Sequence, residues 1–374
     1  MSIELTKEQL LIKNGAEEFA KSVLEPIAYD DDRSGRFPEE AIRKMAEHDY
    51  FGITIPDLYG GLDINFVSVA LIAEAFGRAN AAAAAIAITH MVLASQTIVK
   101  YGDESQKKKW LPGMLKGDVL GGYGIAEPGA GLASGADKVT AVKDGDTYLL
   151  SGKKTFVSNG GKAGVYIVIA QTDEEAGAKG LSAFLVDAAG VKATRPVDKL
   201  GLRAFPTAEL EFHETKAELL GEEGQGANIA AEVQARADIA NAAMATGICD
   251  AMLADSKSHC TIRIQFGSPI GRLQAVQWLL AEIASNVRMM RMTAFQSAAC
   301  FDQKGDYILD AAYTKMVAMK AGAEAGMNAV QIHGGTGYSR EGKIERYFRD
   351  VRGAFIVENT NEFPQKIIAG ALLK

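Results

Sequence analysis

The chain is short of the residue types that mark several function classes. Its 374 residues include three cysteines, Cys249, Cys260 and Cys300, with no CxxC spacing. That argues against a disulfide scaffold or a thiolate metal site and fits a reducing compartment. Five histidines are scattered without HExxH or any Cys/His pairing, so zinc chemistry is not expected. Positive charge is in deficit: 40 Lys and Arg against 47 Asp and Glu give a net charge of -7. No local basic patch stands out, and a nucleic-acid partner is not expected. The longest apolar stretch, Ala81 to Ile88, falls well below the ~18 residues of a membrane span. No membrane crossing and no signal segment are expected, which points to a soluble cytoplasmic protein, or one of an organelle matrix if imported.

What is present is ordinary in composition, with 48% apolar and 23% charged residues, as in a globular protein with a sizeable core. At ~150 residues per domain the length predicts two or three domains. Residues 1–120 carry helical periodicity. Thr6 and Gln9 are spaced as a capping box before Leu10, Leu11, Ile12, Ala16 and Phe19, and helices are predicted over Pro38 to His48 and within Phe66 to Lys100. Pro56, Gly60 and Gly61 mark turns. From 121 to 222 the texture changes to short β-rich runs, Tyr148 to Leu150, Val165 to Ala170, Leu181 to Val186 and Ala208 to Phe212. From 223 to 374 helical pattern returns in Ala227 to Cys260, Ala275 to Asp302 and Tyr307 to His333. The order is an α+β multidomain chain: a helical N-terminal domain, a middle β-barrel-like domain and a C-terminal four-helix bundle. It is not the alternating βαβ of a dinucleotide fold.

Gly129, Gly131 and Gly135 tempt a nicotinamide reading, but their spacing is GxGxxxG and strand pattern follows where a phosphate-capping helix is needed. A plain turn is the simpler reading of such a cluster taken alone. Its company changes that. Tyr123-Gly-Ile-Ala-Glu-Pro-Gly-Ala-Gly131 is followed by Gly152-Lys-Lys-Thr-Phe-Val-Ser-Asn-Gly-Gly161, Lys199-Leu-Gly-Leu-Arg203 and Gly221-Glu-Glu-Gly-Gln-Gly226. Then come Arg263-Ile-Gln-Phe-Gly-Ser-Pro269, Gln331-Ile-His-Gly-Gly-Thr-Gly-Tyr338 and Arg349-Asp350. In order and spacing this series resembles the acyl-CoA dehydrogenase family over nearly the whole chain.

The resemblance implies FAD as cofactor, an acyl-CoA substrate, an electron-transferring flavoprotein as electron acceptor and a homotetramer. It places Tyr123, Ile125 and Ala126 along the isoalloxazine, Phe156 over a ring face and Ser158 near N5. Gly131 and Leu132 also fall at the cofactor. Arg263 and Phe266 match positions that reach the FAD pyrophosphate and adenine across a dimer interface, a task suited to a guanidinium. Gln331, Gly334 and Gly335 match contacts to the neighbouring subunit's FAD, and Thr360 and Glu362 match the own-subunit side. Gly334 to Gly337 also read as a helix C-cap, which is compatible. Leu132, Arg236, Val357 and Asn359 fall along the substrate. Glu358, in Phe355-Ile-Val-Glu-Asn-Thr-Asn-Glu362, matches the catalytic base that removes the α-proton while hydride leaves the β-carbon. Its backbone N–H and a flavin hydroxyl would stabilise the thioester oxygen.

This chain departs from the family pattern in several places. Ala126 and Leu132 stand where a Ser or Thr is common, Asn359 replaces a glycine after the base, and Val357 replaces an aromatic before it. Gln234 stands where some relatives have an acidic contact to CoA, Ala235 where some place an alternative base, and Pro364 interrupts the approach to the last helix. The fold also supports enoyl-CoA reduction, other flavin chemistry and non-catalytic acyl-CoA binding.

Overall fold

The computed structural model describes residues 4–129, 138–357 and 362–373. Seven helices open the chain: α1 (Lys7–Phe19), α2 (Ala28–Ser34), α3 (Glu39–Glu47), α4 (Phe66–Ala79), α5 (Ala81–Ile88), α6 (Gln96–Tyr101) and α7 (Glu104–Leu115). The capping box at Thr6 forms as expected, with Thr6 and Gln9 each bonding the other's backbone N–H. The long helical pattern from Phe66 breaks at Asn80. This residue leaves the helical region and caps α5 through its side chain, which accepts from the Ala83 N–H.

From Ala81 to Tyr101 the helix runs on through a wide turn at Thr89–Ser95, which makes it long and apolar enough to cross a membrane. In this fold 89% of its most apolar window is buried inside the chain. It is the central helix of the N-terminal layer, longer than the eight-residue apolar run visible in the sequence.

Nine strands follow: β1 (Gly121–Gly124), β2 (Thr140–Asp144), β3 (Thr147–Ser158), β4 (Val165–Gln171), β5 (Leu181–Asp187), β6 (Lys192–Pro196), β7 (Thr207–Leu220) and the hairpin β8 (Ile264–Gln265) with β9 (Ser268–Pro269). The first seven form one sheet in the order β1-β3-β2-β4-β5-β7-β6, and extra pairings of β1 with β4 and β3 with β7 close it on itself. Tyr148, Leu150, Val168, Phe184 and Phe212 fill the interior. β1 lies outside the β-rich runs read from the sequence, because Gly-Gly-Tyr-Gly carries no β-branched or alternating pattern. It becomes a strand because it lies between β3 and β4 and is buried along its whole length.

The C-terminal bundle is built from α8 (Gly226–Ile262), α9 (Gln274–Asp302) and α10 (Tyr307–His333), with α11 (Gly335–Tyr338), α12 (Ile344–Ala354) and α13 (Glu362–Leu372) packed around them. Pro364 does not break α13. It sits in the first turn, where a missing N–H costs nothing. Helices α4 and α8 cross through paired glycines: a Cβ at Gly77 would strike the Met244 backbone, and one at Gly247 would strike that of Glu74. Asp302, at the end of α9, accepts from the Phe66 and Val67 N–H groups at 2.7 and 3.0 Å. The bundle thereby caps α4 and ties the two helical layers together. All three cysteines are free.

Candidate active site

The site begins where β1 and β3 meet. Tyr123 and Ser158 are cross-strand partners, so two residues distant in the chain are held side by side. His90, fully buried, fixes the start of β1: its Nδ1 accepts from the Gly121 N–H at 3.0 Å and its Nε2 faces the Met114 carbonyl at 3.2 Å. That arrangement requires a neutral ring, and burial pushes its pKa down to about 4. Asn159 adds a second tie, donating to the Gly121 carbonyl at 2.9 Å.

The segment after β1 is pinned by an ion pair that sequence reading missed. Lys154, only 2% exposed, donates to the Ile125 carbonyl at 2.9 Å and to Glu127 at 2.7 Å. Glu127 also accepts from the Val139 N–H at 2.9 Å, and the Ala126 carbonyl accepts from Thr155 at the same distance. Burial pulls the lysine pKa down while Glu127 opposes the shift. The signal was available in the sequence: Lys154 lies at the inward parity of β3, where a lysine must have a partner.

Two residues beyond Lys154, Phe156 takes a positive φ of 51° and is 62% exposed. An aromatic ring held out of the core in a backbone region that bulky residues avoid is not a core strand residue, and such strain collects at functional sites. Ser158 is buried beside it, and Ile125 and Ala126 are half-buried. Tyr123 is buried in the helical core near Arg236.

Between the barrel and α8 lies a cavity of about 460 Å³, lined by Ile125, Lys154, Leu181, Ala230, Gln234 and Phe363 among others. Arg236, two residues beyond Gln234 on α8, is 2% exposed and donates to Thr97 Oγ1 at 2.9 Å, while its Nε has no hydrogen-bond partner among the described residues. Burial lowers its pKa, and Tyr307, Tyr101 and Glu232 act against this. Glu232 is engaged by Lys100 and by the Tyr101 hydroxyl at 2.6 Å. Val357 approaches from the C-terminal side, its carbonyl oxygen 3.5 Å from the buried Lys315 ammonium. Gly131, Leu132, Glu358, Asn359 and Thr360 lie outside the described residues, and Glu362 opens α13 at the surface.

Arg263, Phe266, Gln331, Gly334 and Gly335 assemble elsewhere. Arg263 ends α8 and Phe266, at φ 53° and 90% exposed, forms the hairpin tip between β8 and β9. Gly334 caps α10 at φ 59°. Stacking of His259 on His333, with ring centroids 4.2 Å apart, brings these two helix ends together. All five residues of this second cluster are exposed. The remaining motifs are structural: Leu202 N–H donates to Asp350 at 2.7 Å, and Arg349 binds Asp32 at 2.7 Å and the Leu200 carbonyl at 2.9 Å. No cluster of potential metal ligands occurs among the described residues.

Comparison with known proteins agrees with this organisation. The sequence pattern of the acyl-CoA dehydrogenase N-terminal domain matches residues 6–118, that of the middle domain residues 122–215, and that of the C-terminal domain residues 224–373. An acryloyl-CoA reductase (NADH) of Anaerotignum propionicum is 37% identical over 100% of this chain and 96% of its own length. The butyryl-CoA dehydrogenase structure from Megasphaera elsdenii superposes with a TM-score of 0.96 at 33% identity, covering 100% of both chains. A chain solved in work on the electron transferring flavoprotein of Acidaminococcus fermentans and its flavin-based electron bifurcation gives 0.97 at 34% identity, again covering 100% of both. With three consecutive domain matches and full-length relatives above 30% identity, the chain belongs to the acyl-CoA dehydrogenase family.

Proposed function

We propose that this chain catalyses FAD-dependent α,β-dehydrogenation of an acyl-CoA thioester, passing electrons to an electron-transferring flavoprotein. The observation that carries the reading is the cavity between the barrel and α8, which brings Ile125, held by Lys154 just after the β1–β3 junction, together with Gln234 of α8 and Phe363 of α13. The residues suit a flavin: Phe156 presents an apolar ring face, Ser158 is placed beside Tyr123, and Ile125 lines the cavity. Arg263, at the exposed second cluster, suits a pyrophosphate on another copy of the chain. When bound, FAD supplies the two-electron acceptor for the hydride that leaves the β-carbon.

The rest is the work of the chain's own residues. Glu358, next after Val357, removes the α-proton, and its N–H donates to the thioester oxygen as charge builds there. Leu132, Val357 and Asn359 bound the acyl thioester, and Arg236 holds the α8 side of that space through Thr97. Gln331, Gly334, Gly335, Thr360 and Glu362 complete the FAD contacts, and the homotetramer supplies the cross-subunit half. Domain limits at 120 and 222 accord with the last helix of the first layer ending at Leu115 and with β7 ending at Leu220.

A second reading is favoured by one finding: the relative at 37% identity is a reductase of an enoyl thioester. Anaerobic titration of the purified protein with saturated acyl-CoAs and, after dithionite reduction, with their enoyl counterparts separates the two. Bleaching of a yellow protein by saturated thioesters is the expected result. Reoxidation by enoyl thioesters without such bleaching would assign the reductase direction, and a colourless protein indifferent to both would sink the enzyme reading.

A further inference from the structure

A base can work only if the chain fixes where it starts, and the structure shows how the segment ending at Val357 is fixed. Two contacts on one face of α10 hold it. At Gly322 the helix has no side chain, and the ring of Phe355 packs into the space so closely that a Cβ there would collide with it. At Lys315, about two turns earlier, a buried ammonium donates to the Val357 carbonyl at 3.5 Å.

The same ammonium lies 3.1 Å from Oδ1 of Asp238 on α8, which is also buried. Asp238 Oδ1 in turn accepts from Gln234 Nε2 at 3.1 Å. Gln234 lines the cavity, and its own Oε1 is buried with no partner among the described residues, which leaves it for a donor on the ligand. One polar chain thus runs from the cavity wall through Gln234, Asp238 and Lys315 to the backbone next to Glu358.

Stability does not explain this chain of contacts. α8 and α10 are rich in alanine on either side of these contacts, and replacing a buried ion pair by packed hydrophobic side chains is often neutral or stabilising. What the pair supplies, and an apolar pair cannot, is a charge-assisted donor for a main-chain carbonyl at a chosen point. We propose that Lys315, paired with Asp238, is a positioning residue that sets the register of the segment ending at Val357, next to Glu358, and couples it to the occupancy of the cavity through Gln234. The inference rests on the dehydrogenase reading given above.

The test is made on holoenzyme. Lys315→Met alone strands a buried carboxylate and can fail to fold for that reason, so the deciding variant is Asp238→Leu with Lys315→Met, which replaces the pair by apolar groups of similar size. Stopped-flow reduction uses the acyl-CoA that bleaches the wild type fastest. Expected are an unchanged melting midpoint, full FAD content and unchanged substrate affinity, with the limiting reduction rate lowered about tenfold to a hundredfold and the acid limb of its pH profile displaced. A reduction rate within about threefold of wild type with an unmoved pH profile would overturn the proposal. So would loss of FAD or of the melting transition in the double variant, because the pair would then be holding the fold. Failure of every thioester to bleach the wild type would instead sink the dehydrogenase reading, before any variant is made.

Discussion

The two clusters that carry cofactor-type residues differ in how finished they are. At the β1–β3 junction every backbone group of interest is tied down from inside the chain: Gly121 by His90 and Asn159, Ile125 by Lys154, Ala126 by Thr155. At the ends of α8 and α10, Arg263, Phe266, Gln331, Gly334 and Gly335 stand exposed. A large aromatic that is 90% exposed at a hairpin tip gains nothing in an isolated chain and gains much when another surface covers it. The contrast teaches that one cluster is preorganised by the fold and the other is left exposed, as the proposed cross-subunit contact requires.

That comparison can be broken at either end. The largest effect is expected at the chemistry itself: Glu358→Gln should lower the flavin reduction rate by about 10²–10⁴-fold, measured by anaerobic stopped flow, while FAD content stays at the wild-type level. Retention of the full rate would remove Glu358 from its role. Next comes the preorganised half. Lys154→Met leaves the half-buried Glu127 without its cation and the Ile125 carbonyl without its donor, a loss of about 1–3 kcal/mol. The melting midpoint and the FAD-to-protein ratio should fall together; a stable variant with full FAD would show that the Ile125 to Glu127 segment needs no such anchor.

His90 gives the same half a signature in pH. Its folded pKa of about 4 lies below the ordinary histidine value of 6.5, so the unfolded chain binds a proton that the folded chain refuses. Stability is therefore full above pH 6.5 and falls as pH drops toward 4, by up to about 3 kcal/mol. Melting curves from pH 7.5 to 4.5 should show this slope, and His90→Gln should flatten it. The smallest effect on the fold belongs to the exposed half. Arg263→Ala should leave the melting of the apoprotein within about 0.5 kcal/mol of wild type yet weaken FAD retention in gel filtration. Unchanged occupancy would argue that the second cluster does not serve the cofactor.

Much of the architecture was legible because it rests on local rules. The capping box at Thr6, the three long bundle helices and the four apolar strands follow from periodicity and end signals, and they appear where expected. The edges that failed to show are those set by partners distant in the chain. β1 is a glycine-rich tetrapeptide made a strand by β3 and β4, and the break at Asn80 depends on a side chain that caps α5 and also donates to Asp31 at 3.2 Å.

The site divides in the same way. Sequence pattern alone marked Tyr123, Phe156, Ser158, Arg263 and Glu358, because residue types at family spacing carry that information without coordinates. It did not mark Lys154, Glu127, Asp238 or Lys315, each a charge whose meaning depends on which other charge the fold brings to about 3 Å. Periodicity and motif order determined the helical, barrel and bundle layers and the family. Which carbonyls are gripped, which aromatic is pushed outward, and which cluster is left exposed were decided only when tertiary packing removed water from some charges and left others in it.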